Sequence, residues 1–285
     1  MDRFILTRRV AILGIIANVV LLSLKLTIGF ISRSQAMIAD GFNSAGDVFA
    51  SVLTYAGNKI ASRPEDHDHP YGHGKAEYIF SMIISFSLFL VAYKIFRSSL
   101  DSIINRQAFV ISFFLVATAV ITIITKLSLF IYTRKAGQLT ENLLILANSE
   151  DHRNDVFITS STLIGITFGY FKIYWVDGII GIGISLWIAY SGLKIFISCY
   201  RVLMDTDIDK VLKADVIKAI ESIEGVDHVD DVTAKPIGVT FIIIVKLSVV
   251  GDMTVNEGHS IAAKVEQELK GFKNVSDVIV HVNPT

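Results

Sequence analysis

Ala39-Asp40-Gly41-Phe42-Asn43-Ser44-Ala45-Gly46-Asp47-Val48-Phe49-Ala50-Ser51 lies inside an apolar segment long enough to cross a bilayer. A charged group at mid-membrane costs about 2.5–3.5 kcal/mol on insertion scales, so a carboxylate there marks a functional site by default. Asn43 and Asp47 are four residues apart, a spacing that stacks side chains on one helix face. The pattern returns further along the chain: Ala39 aligns with Ala147, Asp40 with Asn148, Asn43 with Asp151 and Asp47 with Asp155, and Val48-Phe49 fall on Val156-Phe157. Such a repeat predicts two related helices that hold one four-oxygen site, made of Asn43, Asp47, Asp151 and Asp155, near the bilayer midplane.

The rest of the chain agrees with a membrane setting. Of its 285 residues 52% are hydrophobic and 19% charged, with a mean hydropathy of +0.55. Several apolar runs exceed the roughly 20 residues a spanning helix needs. A net charge of −1 without a basic stripe excludes nucleic acid as a partner. The lone cysteine, Cys199, excludes an internal disulfide and a cysteine-rich zinc cluster, and no nucleophile–base motif points to an enzyme. The arginines of 3–9 precede an apolar run containing Asn18 and Lys25 but no small-residue cleavage motif, which reads as a retained first span.

Six spans are expected, at about 10–31, 36–61, 76–99, 109–133, 143–169 and 174–199. Spans two and five, rich in Gly, Ala, Ser and Thr, belong inside the bundle rather than against lipid. An even number of spans puts both termini on one side, with Arg3, Arg8, Arg9, Lys59, Arg63, Lys75, Arg134 and Lys135. Arg33, Arg97, Arg106 and Lys172 fall opposite, so the bias places the termini in the cytoplasm. Lys25 and Lys126, inside spans, are expected to pair with Asp40 or to snorkel, and Asp177 to lie at the interface. Between spans two and three, His67, His69 and His73 stand with Glu65, Asp66 and Asp68, donors that together suit a borderline divalent ion. Residues 1–201 thus form a six-span membrane domain. Residues 202–285 read as a small domain of helix (210–222), strands (226–233 and 240–250), helix (254–269) and strand (275–282). The fold class is a mainly α membrane protein, a six-helix transmembrane bundle with a cytoplasmic α+β domain of αββαβ order. Apolar residues on the uncovered sheet face would make that domain a dimerisation module.

The paired motifs, the loop Asp66-His67-Asp68-His69-Pro70-Tyr71-Gly72-His73-Gly74-Lys75-Ala76-Glu77, Leu203-Met204-Asp205 after span six and the closing Asp277-Val278-Ile279-Val280-His281-Val282-Asn283-Pro284 resemble the cation diffusion facilitator family over essentially the whole chain. The resemblance implies a homodimeric antiporter of the inner or plasma membrane that exports a divalent metal against protons by alternating access, with lipid as its surroundings and no cofactor. Asn-Asp-Asp-Asp at the four motif positions is similar to the manganese branch. The resemblance further implies a second metal site at Asp66, His69 and His73 and a charge interlock between Lys75 and Asp205; Asp40, about one turn before Asn43, reads from its position as an orienting or gating residue. In the soluble domain the family's interface cluster has Asp230, Val245 and Asn283 in place of its usual ligands, which implies an altered, weaker site at Asp230, His259 and His281.

The ligand chemistry points the same way. Four oxygens without imidazole or thiolate suit Mn²⁺ or another hard ion. Three carboxylates crowded in a low-dielectric cavity cannot all stay ionised without a cation, so the metal-free site is expected to hold protons that metal expels. Two alternatives stand beside Mn²⁺ export: a broader Fe²⁺, Co²⁺, Zn²⁺ or Cd²⁺ exporter, and a metal-responsive membrane scaffold that transports nothing.

Overall fold

A computed structural model describes residues 3–31, 35–105, 113–170 and 175–285. Arg33, Arg106 and Lys172 lie outside them, as do the side chains of Asp40, Asn43 and Asp177. The chain divides into two compact units, one of residues 1–63 and 76–200, the other of 64–75 and 201–285.

The first unit consists of six long helices, α1 (Arg3–Ile31), α2 (Gln35–Ala61), α3 (Ala76–Asn105), α4 (Phe113–Thr140), α5 (Leu143–Tyr170) and α6 (Trp175–Leu203, whose last turn runs into the second unit). Among the described residues α1, α3, α4 and α6 are long and apolar enough to cross a membrane. The polar motifs sit on the other two. Burial is inverted relative to a protein folded in water: Leu90, Ile124 and Leu186 are exposed, whereas Asn18, Lys126, Asn148 and His152 are buried. Lipid is the solvent that makes this arrangement favourable.

α5 packs against α1, α2, α3 and α4, which explains why its circumference carries no continuous lipid-facing stripe. Its start is set locally. Glu141 takes a left-handed turn (φ 50°) and Asn142 caps the helix by accepting the Ile145 N–H at 3.0 Å, so α4 reverses into α5 within a few residues. Glu77, buried at the head of α3, binds the Arg3 guanidinium at 2.6 Å and accepts the Leu143 N–H at 3.0 Å. That one carboxylate ties the starts of α1, α3 and α5. Gly57 permits close packing of α2, since a Cβ there would lie 2.8 Å from Leu144 and from Phe80.

The second unit follows the expected αββαβ order: α7 (Lys210–Glu221), β1 (His228–Ile237), β2 (Thr240–Val249), α8 (Val255–Lys270) and β3 (Val275–Pro284). β2 is central, antiparallel to β1 and parallel to β3, with a bulge between Val229 and Asp231. Asp209 caps α7, and a Thr254–Glu257 capping box starts α8. Val216, Ile220, Ile261, Val265 and Leu269 from the helices close over Ile243, Val245 and Leu247 on one sheet face. The 64–75 loop packs here. Lys235 lies over the Tyr71 ring, and Gly238 (φ 77°) meets Gly74 so closely that a Cβ would sit 3.2 Å from its backbone.

Candidate metal-binding sites

The two motifs meet in the first unit. Asp47 on α2 and Asp155 on α5 approach a single cation, the Lys126 ammonium of α4, whose Nζ lies 2.7 Å from Asp47 Oδ2 and 2.5 Å from Asp155 Oδ2. Lys126 is 1% exposed, so it does not snorkel. Its charge ends between the motif carboxylates. Asn43 stands one helical turn before Asp47 on α2, with its side chain outside those described.

Asp151, one turn before Asp155, is buried, and its Oδ2 has no hydrogen-bond partner. His152 is fully buried with neither ring nitrogen bonded. Asp151, His152 and Asp155 each present a ligand atom within 4.8 Å of the others. Asn148 on the same helix has both amide atoms unpartnered, and Asn18 donates to Asp47 O at 3.1 Å and to Ser51 Oγ at 3.0 Å. Lys25 reaches Ser44 Oγ at 3.0 Å. Each orphaned polar atom costs about 1–3 kcal/mol in a dry interior. They are concentrated around the Asp151 and Asp155 carboxylates, and unpartnered buried polar groups of this kind call for a partner the protein itself does not supply.

His152 and Lys126 are the site residues that motif spacing missed. Position 152 is one residue from Asp151, about 100° around the helix, which in a linear reading is another face. It turns inward because α5 is enclosed on several sides. Glu150 and Arg153 also went unnoticed: Arg153 pairs with Glu150, donates to Ser191 at 2.9 Å and lies over Trp187.

In the second unit Asp66, His69 and His73 come together, with one ligand atom from each within 4.8 Å of the others. Asp66 Oδ1 accepts the His69 N–H at 2.7 Å and contacts His69 Nδ1 at 3.0 Å; its Oδ2 lies 3.3 Å from His73 Nε2. The backbone bond from His69 is the first reason that the Asp66 carboxyl titrates below its usual range. His67 is fully exposed and stands apart. Lys75 Nζ meets Asp205 Oδ1 at 2.5 Å.

The three soluble-domain residues are not gathered within one chain. Val278, Val280 and Val282 of β3 pack toward the helices, so by strand alternation His281 projects from the opposite face, while His259 is exposed on α8. Asp230 engages other partners, accepting Asn283 Nδ2 at 2.9 Å and Ser248 Oγ at 3.1 Å, with His228 Nε2 at 3.0 Å. The Asn283 bond leads the causes that hold its carboxyl below the usual range.

Comparison with known proteins accounts for both units. Residues 11–204 match the cation efflux transmembrane domain, and residues 208–285 match the cytoplasmic domain of cation efflux proteins, a dimerisation domain. The chain belongs to the cation diffusion facilitator family. Like other cation diffusion facilitators it is a membrane-embedded metal-cation efflux transporter, not an enzyme, and its second domain marks it as a homodimer. It is 31% identical to the manganese efflux system protein MneS of Bacillus subtilis, across 96% of this chain and 94% of that one. Identity is also 31% to the manganese efflux system protein MneP of the same organism, across 99% and 98%. The cation-efflux pump FieF of Shewanella oneidensis is 24% identical, across 93% and 89%.

Proposed function

We propose that this cation diffusion facilitator exports Mn²⁺ in exchange for protons by alternating access, with Asn43, Asp47, Asp151 and Asp155 holding the ion. The observation that carries the reading is the convergence of Asp47 and Asp155, from two different helices, on one buried cation beside the unpartnered Asp151 Oδ2. Three carboxylates gathered from two helices of a membrane bundle are suited to stabilising positive charge. Oxygen donors favour Mn²⁺ over softer ions, and two relatives are named as manganese efflux proteins. Proton exchange follows from charge: three carboxylates facing one ammonium leave two negative charges in a low dielectric, and protons neutralise them when metal is absent. The reading includes a cell-membrane location with cytoplasmic termini, transport by residues 1–201 and dimerisation through 202–285. It also takes Asp66, His69 and His73 as a second metal site, Lys75–Asp205 as the interlock and Asp40 as an orienting residue.

His152 favours a second reading, a broader exporter of Fe²⁺, Co²⁺, Zn²⁺ or Cd²⁺, because an imidazole within reach of Asp151 and Asp155 adds a borderline donor. Uptake of Mn²⁺ and Zn²⁺ into proteoliposomes under an imposed pH gradient, for the native chain and Asp47→Ala, decides between them. Saturable, gradient-dependent Mn²⁺ flux lost in the variant supports the first. Zn²⁺ flux without Mn²⁺ flux supports the second, and metal binding without flux of either ion points to a non-transporting scaffold.

A further inference from the structure

We infer that the Lys126 ammonium is a tethered substitute for the transported ion: it bridges Asp47 and Asp155 when the site is empty, and incoming metal displaces it. The inference rests on the proposed transport site and adds a working part to it.

A lysine buried to 1% exposure in an apolar helix is costly unless its charge is met, and here two carboxylates meet it. They come from the two halves of the internal repeat, one on α2 and one on α5, and occupy equivalent positions within it. Nζ therefore stands between the same groups that a divalent ion would bridge. A metal cannot take Asp47 and Asp155 into one coordination shell while an ammonium at 2.5–2.7 Å occupies that space. Besides Asp47 and Asp155, the charged or titratable groups around it among the described residues are Asp151 and His152 from α5 and Lys25 from α1.

The arrangement has a transport consequence. An exchanger must return its site across the bilayer without metal, and a site carrying uncompensated carboxylates would do so slowly. An ammonium on a flexible four-carbon stem travels with the protein, so it can clamp α2 to α5 during the empty return and yield when metal arrives. Its fixed charge also competes with metal, which weakens binding enough for release. Lys126 is thus a positioning residue for the empty carrier and sets metal affinity by competition.

The test compares Lys126→Gln and Lys126→Arg with the native chain in proteoliposomes and in detergent, using Mn²⁺ as the probe. Lys126→Gln is expected to bind Mn²⁺ at least about tenfold more tightly, judged by loss of the free-ion electron paramagnetic resonance signal. It should retain Mn²⁺/Mn²⁺ counterflow, which needs no empty return, while net efflux falls at least fivefold. Lys126→Arg, which keeps the charge, should restore net efflux. Unchanged affinity and net efflux in Lys126→Gln, or equal loss of counterflow and net efflux, overturns the inference. If Lys126→Gln does not fold, reductive methylation of the native chain read by mass spectrometry replaces it: labelling of Lys126 should rise with Mn²⁺, and unchanged labelling refutes displacement. Asp47→Asn and Asp155→Asn separate the two levels. If both bind Mn²⁺ like the native chain, the transport-site reading falls; if both lose binding while Lys126→Gln behaves as native, only the role of Lys126 falls.

Discussion

Asp155→Asn is the sharpest quantitative probe of the central site because the change is nearly isosteric and removes one unit of charge. At an effective dielectric of about 20, two unit charges 4 Å apart interact by about 4 kcal/mol, and a divalent ion with one carboxylate by about twice that. The variant loses the larger amount on binding metal. It recovers about 4 kcal/mol because the Lys126–Asp155 contact, 2.5 Å in the native chain, need no longer be broken. The net penalty of about 4 kcal/mol corresponds to roughly a thousandfold weaker Mn²⁺ binding. Folding should survive, since Asp47 still holds the Lys126 ammonium at 2.7 Å. Calorimetric titration with Mn²⁺, alongside a thermal unfolding scan of the same sample, measures both. A folded variant whose affinity falls less than tenfold would show that Asp155 is not a direct ligand.

His152→Asn removes a neutral donor and should weaken Zn²⁺ binding more than Mn²⁺ binding; competition between the two ions for one sample reads the ratio, and an unchanged ratio excludes the imidazole from the site. Glu77→Ala removes the acceptor of the Leu143 N–H and leaves the Arg3 guanidinium only its bond to Thr140 O, and should cost about 3 kcal/mol, seen as a fall of several degrees in the unfolding midpoint. His228, hydrogen-bonded first to Asp227 and facing Asp230, should titrate above its ordinary value of 6.5. Its contribution to stability is then complete below about pH 6.5 and is lost as pH rises through the folded value. Carbon-13 histidine spectra of the full chain follow the titration, and Asp227→Asn should return it toward 6.5.

Much of the architecture was legible because its signals are local or periodic. Apolar length marked the spans, and the repeat of Asn43 and Asp47 in Asp151 and Asp155 drew attention to two helices that indeed pack together. The ranges read for α7 and α8 fall within a residue or two of the helices. Lys126 was visible but not interpretable. It stands alone among Ile, Thr and Leu on α4, and nothing in a linear chain says that its stem spans the distance to a carboxylate 79 residues away. His152 was hidden by the assumption that one face of α5 serves the site, which fails for a helix enclosed on several sides. The soluble-domain residues Asp230, His259 and His281 correspond to positions in a family pattern for a dimer interface, and within one chain a sheet with helices on one face separates His259 from His281.

If metal is exchanged for protons as proposed, Lys126 also bounds the proton count. Crowded carboxylates alone would require up to three protons to make the empty site neutral, but the ammonium already balances one of them. Whether it bridges Asp47 and Asp155 or has been pushed aside by metal, it stays in the same low-dielectric band. Among the groups that meet at the Lys126 ammonium, three carboxylates, one ammonium and a divalent ion then sum to zero, and Lys25, bonded to Ser44 Oγ, adds one further positive charge nearby. The empty site reaches neutrality with two protons. Proton movement followed by a pH dye inside the vesicles, divided by Mn²⁺ counted in the same vesicles, should give a ratio no greater than about two for the native chain. Lys126→Gln should raise that ratio per turnover even as its turnover slows. A native ratio of three would mean that Lys126 does not share the charge balance of the site, however close it lies to Asp47 and Asp155.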